Sequence, residues 1–345
     1  MSNRKARSSN IELLRIISMM AIIAGHFVHQ TDILSIETGG NLFFSYVFGS
    51  GHRIGVNLFL LIGTWFLVES NFKPERILRL YGQMAFYTIS ITLIILAVGI
   101  PHSTVDVIRC MMPFSLRPVW FGSAYIALLL LKPFLNATIR VGGKRVVVIL
   151  FVLMSVFSTI TPTLWDNFIC ALAWFSFIYL AMYVIKPYIQ KASLNKWLVL
   201  GMGLLLYLVL AYFEYKGLYI ARQYIDDYKS IPNLIISLCL FYFFTRIDIG
   251  ANNVINWLAA SVFSVYIVHQ TPSFKDYLWE SIYHTSSWIG TDHFIINAIG
   301  VVLITFFSIT LIDRMRIRWV ESMWINSRIY KWLDATITKF YKDVL

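Results

Sequence analysis

Arg15 and His26 lie in one apolar run, ELLRIISMMAIIAGHF (12–27). A basic side chain at the centre of a membrane helix costs ~2.5–3.5 kcal/mol even on the gentlest scale, so it needs a partner or a purpose. At ~100° per residue, eleven residues turn about 20° past three full turns, which puts both side chains on one stripe roughly 16 Å apart along the axis. Glu12 joins that face three positions before Arg15. The stripe carries a cation near one end and a titratable base toward the other. Separately, each residue has a bland reading: Arg15 snorkels to headgroups beside Glu12, and His26 bonds a neighbouring helix. Together on one face, they favour function over packing.

Further candidates lie along the chain. KPERILRL (73–80) sets Lys73, Arg76 and Arg79 at the end of an apolar run, and Arg76 and Arg79 share a helix face at i, i+3. Basic residues also belong in such loops for topological reasons. HRIGVNLFLLIGTWFLV (52–68) places His52 and Arg53 at the start of a span, with Gly55 and Gly63 permitting close helix approach. PVWFGSAYIALLLLKPFL (118–135) carries Trp120, Tyr125 and Lys132; aromatics at a span edge are commonly belt residues, and Lys132 is expected to snorkel. SVFSVYIVHQ (261–270) supplies Tyr266 and His269. His26, His29 and His269 could suggest zinc, but no carboxylate or cysteine completes a ligand set, so no metal is expected.

The elements that must hold these residues are membrane helices. Hydrophobic residues make up 58% of the 345, charged residues only 14%, and mean hydropathy is +0.68. That composition leaves no room for a large soluble domain. Three scattered cysteines form neither a disulfide framework nor a metal knuckle. The net charge of +11 is dispersed in short loops between apolar runs, without a basic-aromatic platform, so nucleic acid is not an expected partner. The first run lacks a small-residue cleavage site and contains Arg15 and His26, so it reads as a retained span.

Apolar runs of span length fall near 11–30, 52–69, 80–100, 119–139, 146–162, 168–185, 197–215, 231–249, 254–272 and 293–313. The expected fold is an all-α polytopic membrane protein of about ten transmembrane helices in one domain, residues 1–313. A cytoplasmic amphipathic tail follows, 314–345, with Trp319, Trp324 and Trp332 among basic residues. With the N-terminus inside, twenty of the 29 Lys and Arg fall on the inner side, Arg4, Lys5 and Arg7 included. Arg53, Arg109, Arg117, Lys216, Arg222, Lys229 and Lys275 fall outside. The bias places both termini in the cytoplasm.

The stretches NIELLRIISMMAIIAGHF, RIGVNLFLLIGTWFL, RILRLY, VWFGSAYIALLLLKPFL and SVYIVHQ, in this order from residue 10 to 270, resemble the acyltransferase-3 family of integral membrane acyltransferases. The resemblance implies functional roles for the Arg-x10-His pair, here Arg15 and His26, and for the Arg-x-x-Arg pair, here Arg76 and Arg79. It extends to a Trp and a Tyr at the start of the fourth span, matched by Trp120 and Tyr125. The Glu that follows the Trp in the best-known branch is missing from WFGSAYIAL, and no fused soluble hydrolase-like domain is expected.

The implied activity is transfer of an acyl group, usually acetyl, from cytoplasmic acyl-CoA to a glycan or lipid-linked sugar in a bacterial plasma membrane. Arg15, Arg76, Arg79 and Lys73 would hold the phosphates of acetyl-CoA, the co-substrate. His26 would act as general base or as acyl carrier. Trp120, Tyr125 or Arg53 would face the oxyanion, and Arg53, Tyr266 and His269 the acceptor. The rival from another class is a transporter or flippase of a glycan or other polar substrate, which polar intramembrane residues would suit equally. Its usual signature of paired repeats with interrupted helices is not evident in the sequence.

Overall fold

The computed structural model describes residues 8–160, 168–218 and 227–344. Arg4, Lys5, Arg7 and Arg222, and the last residues of the expected span 146–162, lie outside the described residues. Within them the chain is helical throughout, without strands: a polytopic membrane protein built around α1 (Ser9–His29) and α3 (Gly39–Leu67), joined by the short α2 (Ile33–Ile36). Then come α4 (Pro74–Val98), α5 (Thr104–Met111), α6 (Trp120–Ile160), α7 (Phe168–Lys191), α8 (Lys196–Tyr215) and α9 (Ile231–Arg246). The chain continues through α10 (Asn253–Ala259), α11 (Val262–Gln270), α12 (Phe294–Asn326) and α13 (Arg328–Val344).

Local sequence sets many of these ends. Pro74 opens α4, where a missing N–H costs nothing, and Gly99 closes it at φ +74. The Asn195 side chain accepts the Trp197 and Leu198 amides at the start of α8, and Ser230 accepts that of Asn233 at the start of α9. Gly143, at φ +59, kinks α6 between the runs expected at 119–139 and 146–162, so a sharp bend stands where a loop was anticipated.

Among the described residues, six helical segments are long and apolar enough to cross a membrane: α1, α4, α6 up to Leu150, α7, α8 and α12. The other expected spans take different forms. Helix α3 begins well before position 52, so Arg53 sits near its middle rather than at its end. Helix α9 has 16 residues. The run 254–272 is divided at Ala260 and Ser261, where the Ser261 N–H bonds back three residues to the Leu258 carbonyl at 3.2 Å and tightens the turn. No break occurs at 313. Asp313 binds Arg316 at 2.6 Å and Arg316 binds Glu321 at 3.2 Å, and α12 runs on through both.

Helix α1 is the axis of the bundle: 67% of its apolar stretch is buried, against 17% for peripheral α8. It lies against α3 through glycines that leave no room for a side chain. A Cβ on Gly25 would stand 2.2 Å from the Cβ of His52, and one on Gly55 would meet Ile22 and the Ser18 carbonyl under 3.0 Å. Without a hydrophobic driving force between helices in lipid, such close packing is what holds them together. The tail docks beneath α4 and α6, with the Trp324 indole donating to the Leu78 carbonyl at 3.0 Å and the Tyr341 hydroxyl to that of Leu130 at 2.5 Å. Ile329, Trp332 and Phe340 on α13 stay exposed, an apolar face suited to a membrane interface.

Candidate active site between two clefts

The end of α1 and the end of α11 bring two histidines together. The Nδ1 of His26 lies 3.0 Å from the Nε2 of His269, and the Nδ1 of His269 lies 2.5 Å from the Val265 carbonyl. A carbonyl oxygen only accepts, so His269 must carry its proton on Nδ1. Its Nε2 is then, in the neutral ring, an acceptor, and His26 must donate to it from Nδ1. One chain of bonds thus fixes both tautomers and makes Nε2 the basic atom of His26. His269 is fully buried, with both ring nitrogens engaged and its edge toward Trp279. Both nitrogens are therefore spent inside the protein, where the sequence suggests a side chain facing the acceptor.

His26 looks into a narrow slot of about 20 Å³, lined by Met19, Ile22, Val56, Phe59, Trp120, Phe121, Phe263 and Tyr266. That is about the room of one water, in an apolar setting. Two of the walls matter chemically. The hydroxyl oxygen of Tyr266 accepts the Phe121 N–H at 3.2 Å, one of the unpaired amides in the first turn of α6. Its own proton is left to donate. Trp120 is the other: it borders the slot and also a second, outer cleft, and it stacks on Tyr228 with ring centroids 5.4 Å apart.

That outer cleft, of about 390 Å³, is bounded by the link into α6, by Phe168 and Ala171 at the start of α7, by Tyr228 before α9, and by Arg53, Arg109 and Arg117. Behind Arg53, in the segment before α9, burial pushes the Asp227 carboxyl up while Lys229 and Arg53 pull it down.

At the opposite end of the bundle a cationic mouth is built around residues 68–76. Arg76 donates to the Ser70 hydroxyl at 2.9 Å. Lys132, buried rather than snorkelling, donates to the Ser70 carbonyl and to its hydroxyl at 3.0 Å. Arg15 is held by Glu12 at 2.8 Å, and its charge and that of Arg76 both reach the Tyr125 hydroxyl. The ring of Tyr125 fits where Gly63 has no side chain. Tyr125 therefore belongs to the mouth and not to the slot, while Trp120 belongs to the slot. Arg79 diverges from Arg76: it pairs with Glu321 on α12 at 3.4 Å and bonds Tyr330. Lys73 borders a separate cleft of about 390 Å³ between the start of α4 and α13.

Two participants carried little sequence signal. His52 sits 6.1 Å ring to ring from His26 and 4.9 Å from His29, with its Nδ1 2.8 Å from the Gly49 carbonyl. The sequence marks His52 only as the start of a span, and Gly25 is the residue that lets it approach α1. Gln30 fastens the two helix ends that carry the histidines, bonding Gln270 at 3.1 Å and accepting the Trp279 indole N–H at 2.9 Å. Among the described residues, no group of three or more His, Cys, Asp or Glu side chains has an arrangement that could hold a metal ion.

A family model described as an acyltransferase domain matches residues 8–313. No curated protein and no solved structure matches the chain.

Proposed function

The chain belongs to the acyltransferase-3 family of integral membrane acyltransferases, and from that premise we propose that it moves an acyl group, acetyl in the simplest case, from cytoplasmic acyl-CoA to a hydroxyl of a cell-surface or lipid-linked glycan. The observation that carries this reading is the His26–His269 pair at 3.0 Å, set between a cationic mouth and an outer cleft. In this reading the chain crosses a bacterial plasma membrane ten times, counting the two arms of α6 and the α10–α11 pair, with both termini cytoplasmic.

The phosphates of the donor sit at Arg76 and Arg15, whose guanidinium groups match phosphate geometry, with Lys132 adding charge from below. Arg79 and Lys73 extend the mouth toward the tail. The thioester rises along the α1 stripe to the slot, which at about 20 Å³ must widen to take the acetyl group. The acceptor hydroxyl enters from the outer cleft past Trp120, and His26 Nε2 removes its proton as the oxygen attacks the thioester carbon. The new imidazolium keeps its Nδ1–H on His269, which stabilises it as the charge appears. The Tyr266 O–H donates to the carbonyl oxygen as it turns anionic. Collapse breaks the C–S bond, and the CoA thiolate leaves with the proton held at His26. The dry slot excludes water that would otherwise hydrolyse the thioester.

His26→Ala protein, folded and membrane-inserted, is expected to lose about 10²–10⁴-fold in transfer from labelled acetyl-CoA, the range for a general base. Wild-type activity in that variant would overturn the assignment. Mass spectrometry of surface glycans with and without the protein supplies the cellular test. A missing acetyl mass supports transfer, whereas unacylated glycan stranded inside the cell would point to transport instead.

A further inference from the structure

The outer cleft has a composition that a neutral sugar does not require. Arg53, Arg109 and Arg117 come from three different elements, α3, α5 and the link into α6, and among the described residues no carboxylate lines it. Asp106 reaches only Arg109, at 3.6 Å, and on the surface. Asp227 takes the Lys229 backbone N–H at 2.9 Å and its ammonium at 3.4 Å, so it compensates Arg53 only in part. The Nε of Arg53 is buried and has no hydrogen-bond partner. A buried donor left unpaired is costly, and an oxyanion in the cleft would satisfy it.

Arg117 sits at φ +52, in a region that L-residues other than Asn and Asp seldom occupy. It holds its guanidinium 4.8 Å over the Phe168 ring. Strain of this kind persists where the surroundings over-determine it, and such places are disproportionately active sites and ligand clamps. Between these cations the stacked pair Trp120 and Tyr228 offers a flat aromatic wall. Guanidinium groups around an aromatic platform recognise an oxyanion carried on a ring.

Resting on the acyl-transfer reading above, we propose that the outer cleft is the acceptor site and that its acceptor is an anionic glycan, one whose sugar bears a carboxylate or a phosphate held by Arg53 and Arg117. The sugar ring lies on Trp120, which turns its free hydroxyl toward His26. The anion acts as an anchor and the hydroxyl as the reacting group, so one sugar fills both the cleft and the entrance to the slot.

The test measures binding and not turnover, so it is separable from the role of His26. Full-length His26→Ala protein in nanodiscs is titrated with three oligosaccharides: one containing a hexuronate, the same one with its carboxyl reduced to an alcohol, and one carrying a sugar phosphate. At least one anionic form is expected to bind about tenfold or more tightly than the carboxyl-reduced form, with an advantage that shrinks as salt rises. Which of the two wins distinguishes carboxylate from phosphate. Arg53→Gln and Arg117→Gln should each erase most of that advantage while leaving acetyl-CoA affinity at the wild-type value, which reports that the variants are folded. Equal affinity for the reduced form and both anionic forms would overturn the proposal. So would an anionic preference that survives both substitutions.

Discussion

The two ends of this bundle both present arginines, and they treat them differently. At the cationic mouth these arginines already have protein partners: Glu12 for Arg15, Ser70 for Arg76, Glu321 for Arg79. The Arg76 and Arg79 contacts are exposed or half-exposed, where such a contact is worth ~0–1 kcal/mol and a phosphate can displace it at little cost, whereas Arg15 leans on the buried Glu12. At the outer cleft the Arg53 Nε is buried without a partner and Arg117 is held at positive φ. The mouth keeps its cations on partners already in place, which is what the proposed soluble donor would need if it binds and leaves at each turnover. The outer cleft keeps unmet hydrogen-bonding capacity, which gives selectivity for whatever meets it. His26, one helix stripe away from the first and one indole away from the second, is where the two meet.

The largest expected effect comes from breaking the junction itself. His269→Leu removes the acceptor for the His26 Nδ1–H, so the ring is free to shift or to change tautomer. Transfer should fall about 10²-fold, the scale of a misplaced catalytic group. His269→Gln, whose side-chain carbonyl can still accept that proton, should recover much of the loss, and a purely structural role would show no such ranking. Equal activity of the Leu and Gln variants in a steady-state assay would remove His269 from the mechanism. The affinities at both ends, measured by titration of acetyl-CoA and of the acceptor, should stay unchanged in either variant.

Trp120→Ala attacks the partition between slot and outer cleft. Loss of the indole joins the two spaces and admits water beside the thioester. Transfer should fall about tenfold while the hydrolysis of acetyl-CoA without an acceptor rises. The ratio of hydrolysed to transferred acetyl is the informative number. A variant that slows without uncoupling would assign Trp120 to acceptor stacking alone.

Much of this arrangement was written in local pattern. The Arg15–His26 stripe follows from helical period, and the sites of close approach follow from Gly25, Gly55 and Gly63. What was hidden depends on distant chain segments. His26 and His269 lie far apart in sequence, and neither advertises the other. Tyr125 and Trp120 sit five positions apart on one helix, yet Trp120 borders the slot while Tyr125 packs against Gly63 within reach of the Arg15 and Arg76 charges. The divergence of Arg76 and Arg79 was equally illegible. Helical spacing places them on one face, but Glu321 arrives from a continuous α12 that the hydropathy profile had ended at 313.

That divergence yields the smallest and sharpest contrast. Arg76 shares Ser70 with Lys132, and its field reaches Tyr125 together with that of Arg15. Arg79 is turned to Glu321 and Tyr330. If the mouth holds the donor phosphates, Arg76→Ala should raise the KM for acetyl-CoA about tenfold, as befits a lost charge-assisted hydrogen bond. Arg79→Ala should raise it only two- to threefold, because that side chain must first leave an ion pair of its own. The double variant should show little beyond the sum, since the two guanidinium groups have separate partners. Neither change should alter acceptor affinity at the outer cleft, because ~16 Å of helix stripe and the His26 slot lie between the two ends. Equal penalties for the two single variants would mean that Arg79 abandons Glu321 when the donor binds. The tail would then be a moving part of the mouth and not its fixed floor.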